Sequence, residues 1–328
     1  MTILVTGGAG YIGSHMVYEL LDQGERVVIV DNLSTGYEFV LPQQAPLIMG
    51  DVGDASLIAQ VISRHQVTEI IHFAASTSVP DSLRDPLAYY LNNTANTRTL
   101  IEAAVASGIK RFIFSSTAAV YGTPLQIPVS EQDTPQPLTP YGWSKLMAET
   151  MLRDAGAAHD LQHVILRYFN VAGADPSRRT GPSNGEATHL IKVAVQAAVG
   201  LRKQLEVYGA DYPTRDGTCI RDFIHVSDLV RAHSKAVQYL RAGGGSTTLN
   251  CGYGGGFSVL EVIAAVKNAA AVDFPVLYGP RRPGDVAEVV AASGLARTVL
   301  GWTPRLDDLT TIVADALAWE RHLLKLRG

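Results

Sequence analysis

Cysteine is scarce in this chain, which has only Cys219 and Cys251 in 328 residues. So few thiols exclude a disulfide framework and a cysteine-based zinc cluster, and they point to a reducing compartment in which both are free and structural. No metal site is expected. Long hydrophobic runs are missing as well: none approaches the roughly eighteen apolar residues that span a bilayer, and no basic-then-apolar leader precedes the first strand. The expectation is a cytoplasmic protein without membrane contact. Excess positive charge is absent too. A formal net charge of −4 and a pI near 6.1 leave no electrostatic footprint for nucleic acid, and Arg178-Arg179 and Arg281-Arg282 are isolated pairs. There is no repeat, low-complexity tract or long linker. The 47% hydrophobic composition suits one sizeable domain and a smaller one.

Glycine, by contrast, is abundant, and its placement at the start of the chain is informative. Thr2-Ile3-Leu4-Val5-Thr6 reads as a short apolar strand that runs into a loop carrying Gly7, Gly10 and Gly13. Gly7 permits a tight strand-to-helix turn, Gly10 lets backbone approach a pyrophosphate, and Gly13 lets the next helix pack close. That helix, Ile12 to Gln23, has apolar Ile12, Met16, Val17, Leu20 and Leu21, and stops at Gly24. A second strand, Arg26 to Val30, ends at Asp31. An acid at that strand tip suits the ribose hydroxyls of a dinucleotide and repels a 2′-phosphate, which favours NAD over NADP.

Strand and helix signals then alternate. Pro46 to Met49 is extended, Ser56 to Arg64 helical, Glu69 to Phe73 extended, Pro86 to Ser107 one long helix, and Arg111 to Ser115 extended. Pro140 to Asp154 is helical and His163 to Phe169 extended. Such alternation implies an α/β fold with a doubly wound parallel Rossmann sheet, whose ligands bind beyond the carboxyl ends of the strands. Asp31, Asp51, Phe73 to Thr77, Ser115 to Thr117 and Asn170 all fall there. Residues 1–175 are therefore expected to form the cofactor domain. Residues 176–328, less regular and holding an apolar helix from Thr188 to Val199, form a smaller mixed α/β substrate domain. Phe223 to Leu240 and Thr248 to Cys251 read as a helix and a strand returning to the main sheet, within a returning segment near 222–251.

Thr139 and Pro140 supply an N-cap and a helix-compatible first residue, so Tyr141 lies in the first turn and Lys145 one turn on along the same face. A nearby cation and the positive end of a helix favour a phenolate, making Tyr141 a general base. Thr117, at the end of the fifth strand, completes a Thr, Tyr and Lys constellation for alcohol-to-ketone chemistry.

Gly7-Gly8-Ala9-Gly10-Tyr11-Ile12-Gly13, Phe114-Ser115-Ser116-Thr117-Ala118-Ala119-Val120-Tyr121-Gly122, Tyr141-Gly142-Trp143-Ser144-Lys145 and Arg167-Tyr168-Phe169-Asn170 together resemble the extended short-chain dehydrogenase/reductase family. The run from Tyr208 to Val226, which includes Arg215-Asp216-Gly217-Thr218-Cys219-Ile220-Arg221-Asp222, narrows the resemblance to its nucleotide-sugar 4-epimerases. The resemblance implies NAD as a resident cofactor and reversible 4-epimerisation of UDP-galactose and UDP-glucose. Tyr141 removes the proton of the carbon 4 hydroxyl, hydride moves to the nicotinamide, and the 4-keto sugar turns over to receive hydride on its other face. Dehydratases of the family carry acids just after the hydroxyl residue; Ala118 and Ala119 stand there, so an elimination lacks its proton donor.

Carried onto this sequence, the cofactor contacts implied are Gly7, Gly10, Tyr11, Ile12 and Gly13, then Asp31, Asn32, Asp51 and Val52. Phe73, Ala74, Ala75, Thr77, Asn93, Ser115, Tyr141, Lys145, Tyr168 and Phe169 follow. Those implied for the UDP-sugar are Thr117, Tyr141, Asn170, His189, Leu190, Val207, Tyr208, Arg221, Arg282, Asp285 and Val289. Arginine forks at Arg221 and Arg282 match diphosphate oxygens. Thr77 replaces a lysine of some relatives, which implies looser cofactor retention, and His189 replaces an asparagine. Val289 occupies a gate that is tyrosine in hexose-restricted members, so UDP-GlcNAc and UDP-GalNAc enter as further substrates. His225 and Asp228 read as capping and packing residues. The apolar helices around Leu87 to Val105 and Leu146 to Leu152 suit either a homodimer interface or the core. A 4-epimerase of a uronic acid or pentose nucleotide, and a non-catalytic NAD-sensing regulator, remain as alternatives.

Overall fold

The computed structural model describes residues 1–185 and 188–327. In chain order its strands are β1 (Thr2–Thr6), β2 (Arg26–Asp31), β3 (Leu47–Met49), β4 (Val67–His72), β5 (Arg111–Thr117), β6 (Gln162–Tyr168) and β7 (Asn170–Ala172). β8 (Leu205–Tyr208), β9 (Ile220–His225), β10 (Thr247–Cys251), β11 (Gly256–Ser258), β12 (Val276–Gly279) and β13 (Glu288–Val289) follow. Seven of them form one sheet in the order β10-β6-β5-β4-β1-β2-β3, every neighbouring pair parallel. The order reverses at β1, the switch point where α/β sheets bind ligands.

Near-continuous apolar runs such as Ile3-Leu4-Val5 and Val27-Val28-Ile29-Val30 suit strands covered on both faces. One face packs under α1 (Tyr11–Asp22), with Met16, Val17 and Leu20 in the core. The other packs under α2 (Ala55–His65). Next come the short α3 (Val79–Arg84) and α4 (Pro86–Tyr89), then α5 (Asn96–Ala106) and α6 (Pro140–Ala158). α2, α5 and α6 together bury Ile58, Leu100 and Leu152. Each such side chain contributes about 1.5–3 kcal/mol.

The single helix expected over 86–107 is interrupted: between α4 and α5, Tyr90–Ala95 forms a π-helical turn. The Asn93 amide there accepts from Ser76 N and donates to the Ser76 carbonyl and the Ser144 hydroxyl, long-range bonds that periodicity does not register. The second correction concerns Phe223 to Leu240, where residues through His225 are strand β9 and the helix starts only at Val226. That helix, preceded by α7 (Leu190–Ala198), is α8 (Val226–Arg241), which packs on α1. β10 lies beside β6 in the central sheet.

Above the carboxyl edge sits a smaller layer. β9 pairs with β7, β11 and β13, and β8 pairs with β12. They pack with α7, α9 (Val259–Ala270) and α11 (Leu309–Arg327) around Ala194, Val195, Val262, Val266 and Ile312, while α10 (Gly294–Leu300) lies against α8. Cys219 and Cys251 are buried and free.

Candidate active site

The glycine loop is built on close approach. Gly7 has φ +69°, and a Cβ there would lie 2.5 Å from the Ala74 nitrogen; one on Gly13 would lie 2.1 Å from the Gly7 oxygen. On Gly10 it would meet only that oxygen, at 3.2 Å, so its outer side is open. Asp31 closes the cradle: one carboxylate oxygen accepts from Ala9 N at 2.9 Å, the other from Leu33 N at 2.8 Å. Each keeps a second lone pair for an outside hydroxyl. Asp51 accepts from Asn32, Gly53 N and Asn96, which ties the tips of β2 and β3 together. Tyr11 donates to the Gly173 carbonyl at 2.7 Å, and the Val52 side chain is core. An open glycine cradle at a helix N-terminus with an acid at the next strand tip fits a dinucleotide.

Further along the edge, Phe73, Ala74 and Ala75 follow β4, and Thr77 is exposed. The Phe73 ring lies 4.8 Å from the imidazole of His233, which α8 delivers from the opposite side. His233 Nδ1 lies 2.9 Å from the Leu229 carbonyl and so carries the hydrogen; Nε2 then accepts from Ser115 Oγ at 2.8 Å. Burial lowers this imidazole to about 4, which keeps it neutral.

Thr117 ends β5, and Tyr141 and Lys145 lie one turn apart on the buried face of α6. Thr139 caps α6 by accepting from Gly142 N at 3.3 Å, and Pro140 opens the helix. Thr117 Oγ1 accepts from Ala119 N at 3.1 Å, and Thr117 exerts a lowering influence on the Tyr141 phenol. Both Tyr141 and Lys145 are buried, and the Lys145 ammonium sits 4.3 Å over the Phe114 ring. Their electrostatics depart from the expectation of a lowered phenol. Burial pushes Tyr141 up to about 12 against the Thr117 hydrogen bond, and burial lowers Lys145 to about 7. Desolvation outweighs the helix terminus, so the polypeptide alone does not hold a phenolate.

Across the cleft, Arg221 and Arg282 flank Asp285 at 3.8 and 3.0 Å, and the Arg282 guanidinium stacks 4.6 Å over the Tyr208 ring. These side chains converge. Arg281 instead pairs with exposed Asp211. Asn170 is exposed, while His189 and Leu190 open α7. The Val207 side chain belongs to the core of the smaller layer, leaving only its backbone for a ligand. Val289 is buried in a cluster with Phe169, Val120, Tyr121 and Ala291. Tyr168 interacts with Ser115 and Tyr141. As read from the sequence, His225 caps α8, accepting from Ser227 N at 3.1 Å, and Asp228 accepts from Arg305 N and Leu306 N.

Sequence reasoning missed His233, Glu149 and Arg167. The last two form a buried ion pair, with Glu149 one turn beyond Lys145 on α6. Arg167 interrupts an otherwise apolar strand, a signal that a buried partner must exist.

The model of the NAD dependent epimerase/dehydratase family matches residues 3–252. The UDP-glucose 4-epimerase of Azospirillum brasilense is 53% identical over 98% of this chain and 92% of its own length. A crystal structure of UDP-glucose-4-epimerase from Stenotrophomonas maltophila with bound NAD and formylated UDP-arabinopyranose superposes with a TM-score of 0.95 at 40% identity, covering 99% of both chains. The UDP-Glc/GlcNAc 4-epimerase of Campylobacter jejuni superposes with a TM-score of 0.85 at 45% identity, over 98% of this chain and 99% of its own.

Proposed function

The chain belongs to the NAD dependent epimerase/dehydratase family, and on that premise we propose the reaction that its site performs. It is an isomerase that interconverts UDP-galactose and UDP-glucose by inverting carbon 4, with NAD as cofactor. The observation that carries the mechanism is buried Tyr141 on α6, its phenol under the lowering influence of Thr117 at the end of β5 and one turn before Lys145, beside the glycine cradle. Gly7, Gly10, Gly13 and Asp31 hold the cofactor, with Asn32, Asp51, Phe73, Asn93 and Tyr168 around it. Bound NAD supplies the reversible two-electron redox step and the positive charge of its oxidised ring.

The protein's part is proton transfer and orientation. Thr117 holds the carbon 4 hydroxyl against Tyr141, which acts as a phenolate in the NAD-bound enzyme, takes that proton and later returns it to the same oxygen. Lys145 opposes the negative charge of that phenolate. Arg221 and Arg282 take the diphosphate, with Asn170, His189, Leu190, Tyr208 and the Val207 backbone along the nucleotide. Residues 1–175, with the 222–251 segment, serve the cofactor, and 176–328 the UDP-sugar.

Compact Val289 supports acceptance of N-acetylated sugars, as does 45% identity to a relative named for UDP-Glc and UDP-GlcNAc. A Val289→Tyr variant is expected to keep UDP-galactose turnover and lose UDP-GlcNAc turnover; a wild type inert toward UDP-GlcNAc refutes that extension. Exposed Leu83, Leu87, Leu91, Trp143 and Met147 on α3, the α4–π segment and α6 support a homodimer, testable by sedimentation equilibrium, and two free buried cysteines suit the cytoplasm. The decisive experiment is an NMR time course of the purified protein with UDP-galactose and no added NAD. UDP-glucose must accumulate. Failure both with and without NAD refutes the reaction; rescue by added NAD points to loose retention at Thr77.

A further inference from the structure

Lys145 makes no ion pair among the described residues, although a carboxylate is within reach. Glu149 lies one turn on, along the same buried face of α6. Lysine and glutamate four residues apart on a helix ordinarily pair. Here all four bonds that Glu149 accepts come from elsewhere: Oε1 from Arg167 Nε at 3.0 Å and Ser116 Oγ at 2.5 Å, Oε2 from Arg167 Nη2 at 2.6 Å and Arg153 Nη1 at 3.2 Å. Arg167 is itself fixed, donating to the Tyr121 hydroxyl at 3.0 Å while that hydroxyl donates to Asn250 at 2.7 Å. Such a pair is a poor stabiliser, because removing two charges from water cancels much of their attraction.

We propose that Arg167 is a positioning residue for Lys145: by occupying both oxygens of Glu149 it prevents a Lys145–Glu149 ion pair and leaves the lysine amine free for the Tyr141 phenol. The groups facing Lys145 are few. Tyr141 and Glu149 come from its own helix, the Phe114 ring from β5, and His72 from β4. His72 lies between Thr6 and Thr97 and burial keeps it neutral, so among the described residues Glu149 is the anion that acts on Lys145. Burial lowers Lys145, and Glu149 is the opposing influence. Freed from Arg167, Glu149 turns to the ammonium, stabilises it and draws it from the phenol.

The inference rests on the epimerase reading only in its last step, and the test separates the two. The chain has seven lysines, so a [13Cε]-lysine NMR titration of the holoenzyme is tractable, with Lys145 assigned by its loss in Lys145→Met. In Arg167→Met the Lys145 midpoint rises by about 1–3 units. Its kcat falls about tenfold while KM stays within about twofold, as for a group acting on the chemical step. Adding Glu149→Gln returns both the midpoint and kcat toward wild type, which a merely structural clamp does not predict. Arg167→Lys, which keeps the charge but not the fork, gives an intermediate midpoint and covers the case in which Arg167→Met does not fold. An unmoved Lys145 midpoint in the folded Arg167 variants, or a double variant no better than the single, overturns the proposal. A wild type without epimerase activity whose midpoint still moves as stated supports the pairing and overturns only the reaction.

Discussion

Alanine at Gly13 and alanine at Gly10 add the same methyl group three residues apart and are expected to fail for different reasons. At Gly13 the new carbon would sit 2.1 Å from the Gly7 oxygen and 2.8 Å from both the Gly7 carbonyl carbon and Gly8 Cα. Those atoms are backbone, with no side chain to swing aside, so the loop itself must move by about 1 Å to restore contact distance. Overpacking of this kind costs about 1–3 kcal/mol. At about 2.1 cal/mol/K of unfolding entropy per residue, a 328-residue chain shifts by about 1.5 °C per kcal/mol, so the melting temperature of cofactor-stripped protein falls by about 1.5–4.5 °C. Gly10 has φ −76°, open to any residue, and its added carbon meets only the Gly7 oxygen, at 3.2 Å. Gly10→Ala therefore changes that melting temperature by no more than about 1 °C, the cost of a weaker N-cap. Its methyl group projects where backbone must approach the pyrophosphate, and NAD is lost. Calorimetry of stripped protein, with NAD counted per chain after gel filtration, separates the cases. A Gly13→Ala protein as stable as wild type refutes the clash; a Gly10→Ala protein that retains NAD refutes the seat of the pyrophosphate.

Three further outcomes are expected. Tyr141→Phe lowers kcat by about 10²- to 10⁴-fold with NAD content unchanged, measured by turnover and by cofactor release; activity near wild type removes Tyr141 as the base. Thr117→Val removes the hydrogen bond that offsets the burial of Tyr141, so the acid limb of the kcat–pH profile moves upward by about one unit. A limb that stays in place assigns it to another group. His15 and His233 titrate at about 4 in the folded chain, lowered by burial from 6.5, so below pH 6.5 the unfolded chain takes up protons the native one refuses. Stability is full above that pH and falls as pH drops toward 4, by about 2 kcal/mol per histidine between pH 7 and 5. Urea unfolding of wild type and His15→Gln at both pH values must show a shallower loss in the variant.

What was legible in the sequence depended on local chemistry. Glycine spacing, the acid at a strand tip, a Thr-Pro helix start and a four-residue Tyr-to-Lys interval each act over one turn or one loop, and each lies where local rules put it. The π turn escaped because its cause, Asn93 bonding Ser76 and Ser144, joins segments that only the tertiary fold brings together. Phe223 to His225 passed for helix because a buried strand and a helix entrance are both apolar there.

The protonation balance escaped for a deeper reason. From spacing alone, a lysine beside a tyrosine lowers the phenol; in the fold, burial acts on both and drives them toward neutrality, Tyr141 to about 12 and Lys145 to about 7. Charge at this site is therefore governed by which ions share its low-dielectric volume. Arg167 and Glu149 form a compensated buried pair that starts one turn beyond Lys145 on α6, and Lys145 has no ion pair among the described residues. The sequence did carry a trace of this arrangement. An arginine inside Val164-Ile165-Leu166-Arg167-Tyr168 and a glutamate on the buried face of α6 are each costly alone, so each requires a partner within hydrogen-bonding distance. Reading polar residues in apolar runs as halves of a pair would have brought the two together one turn beyond Lys145.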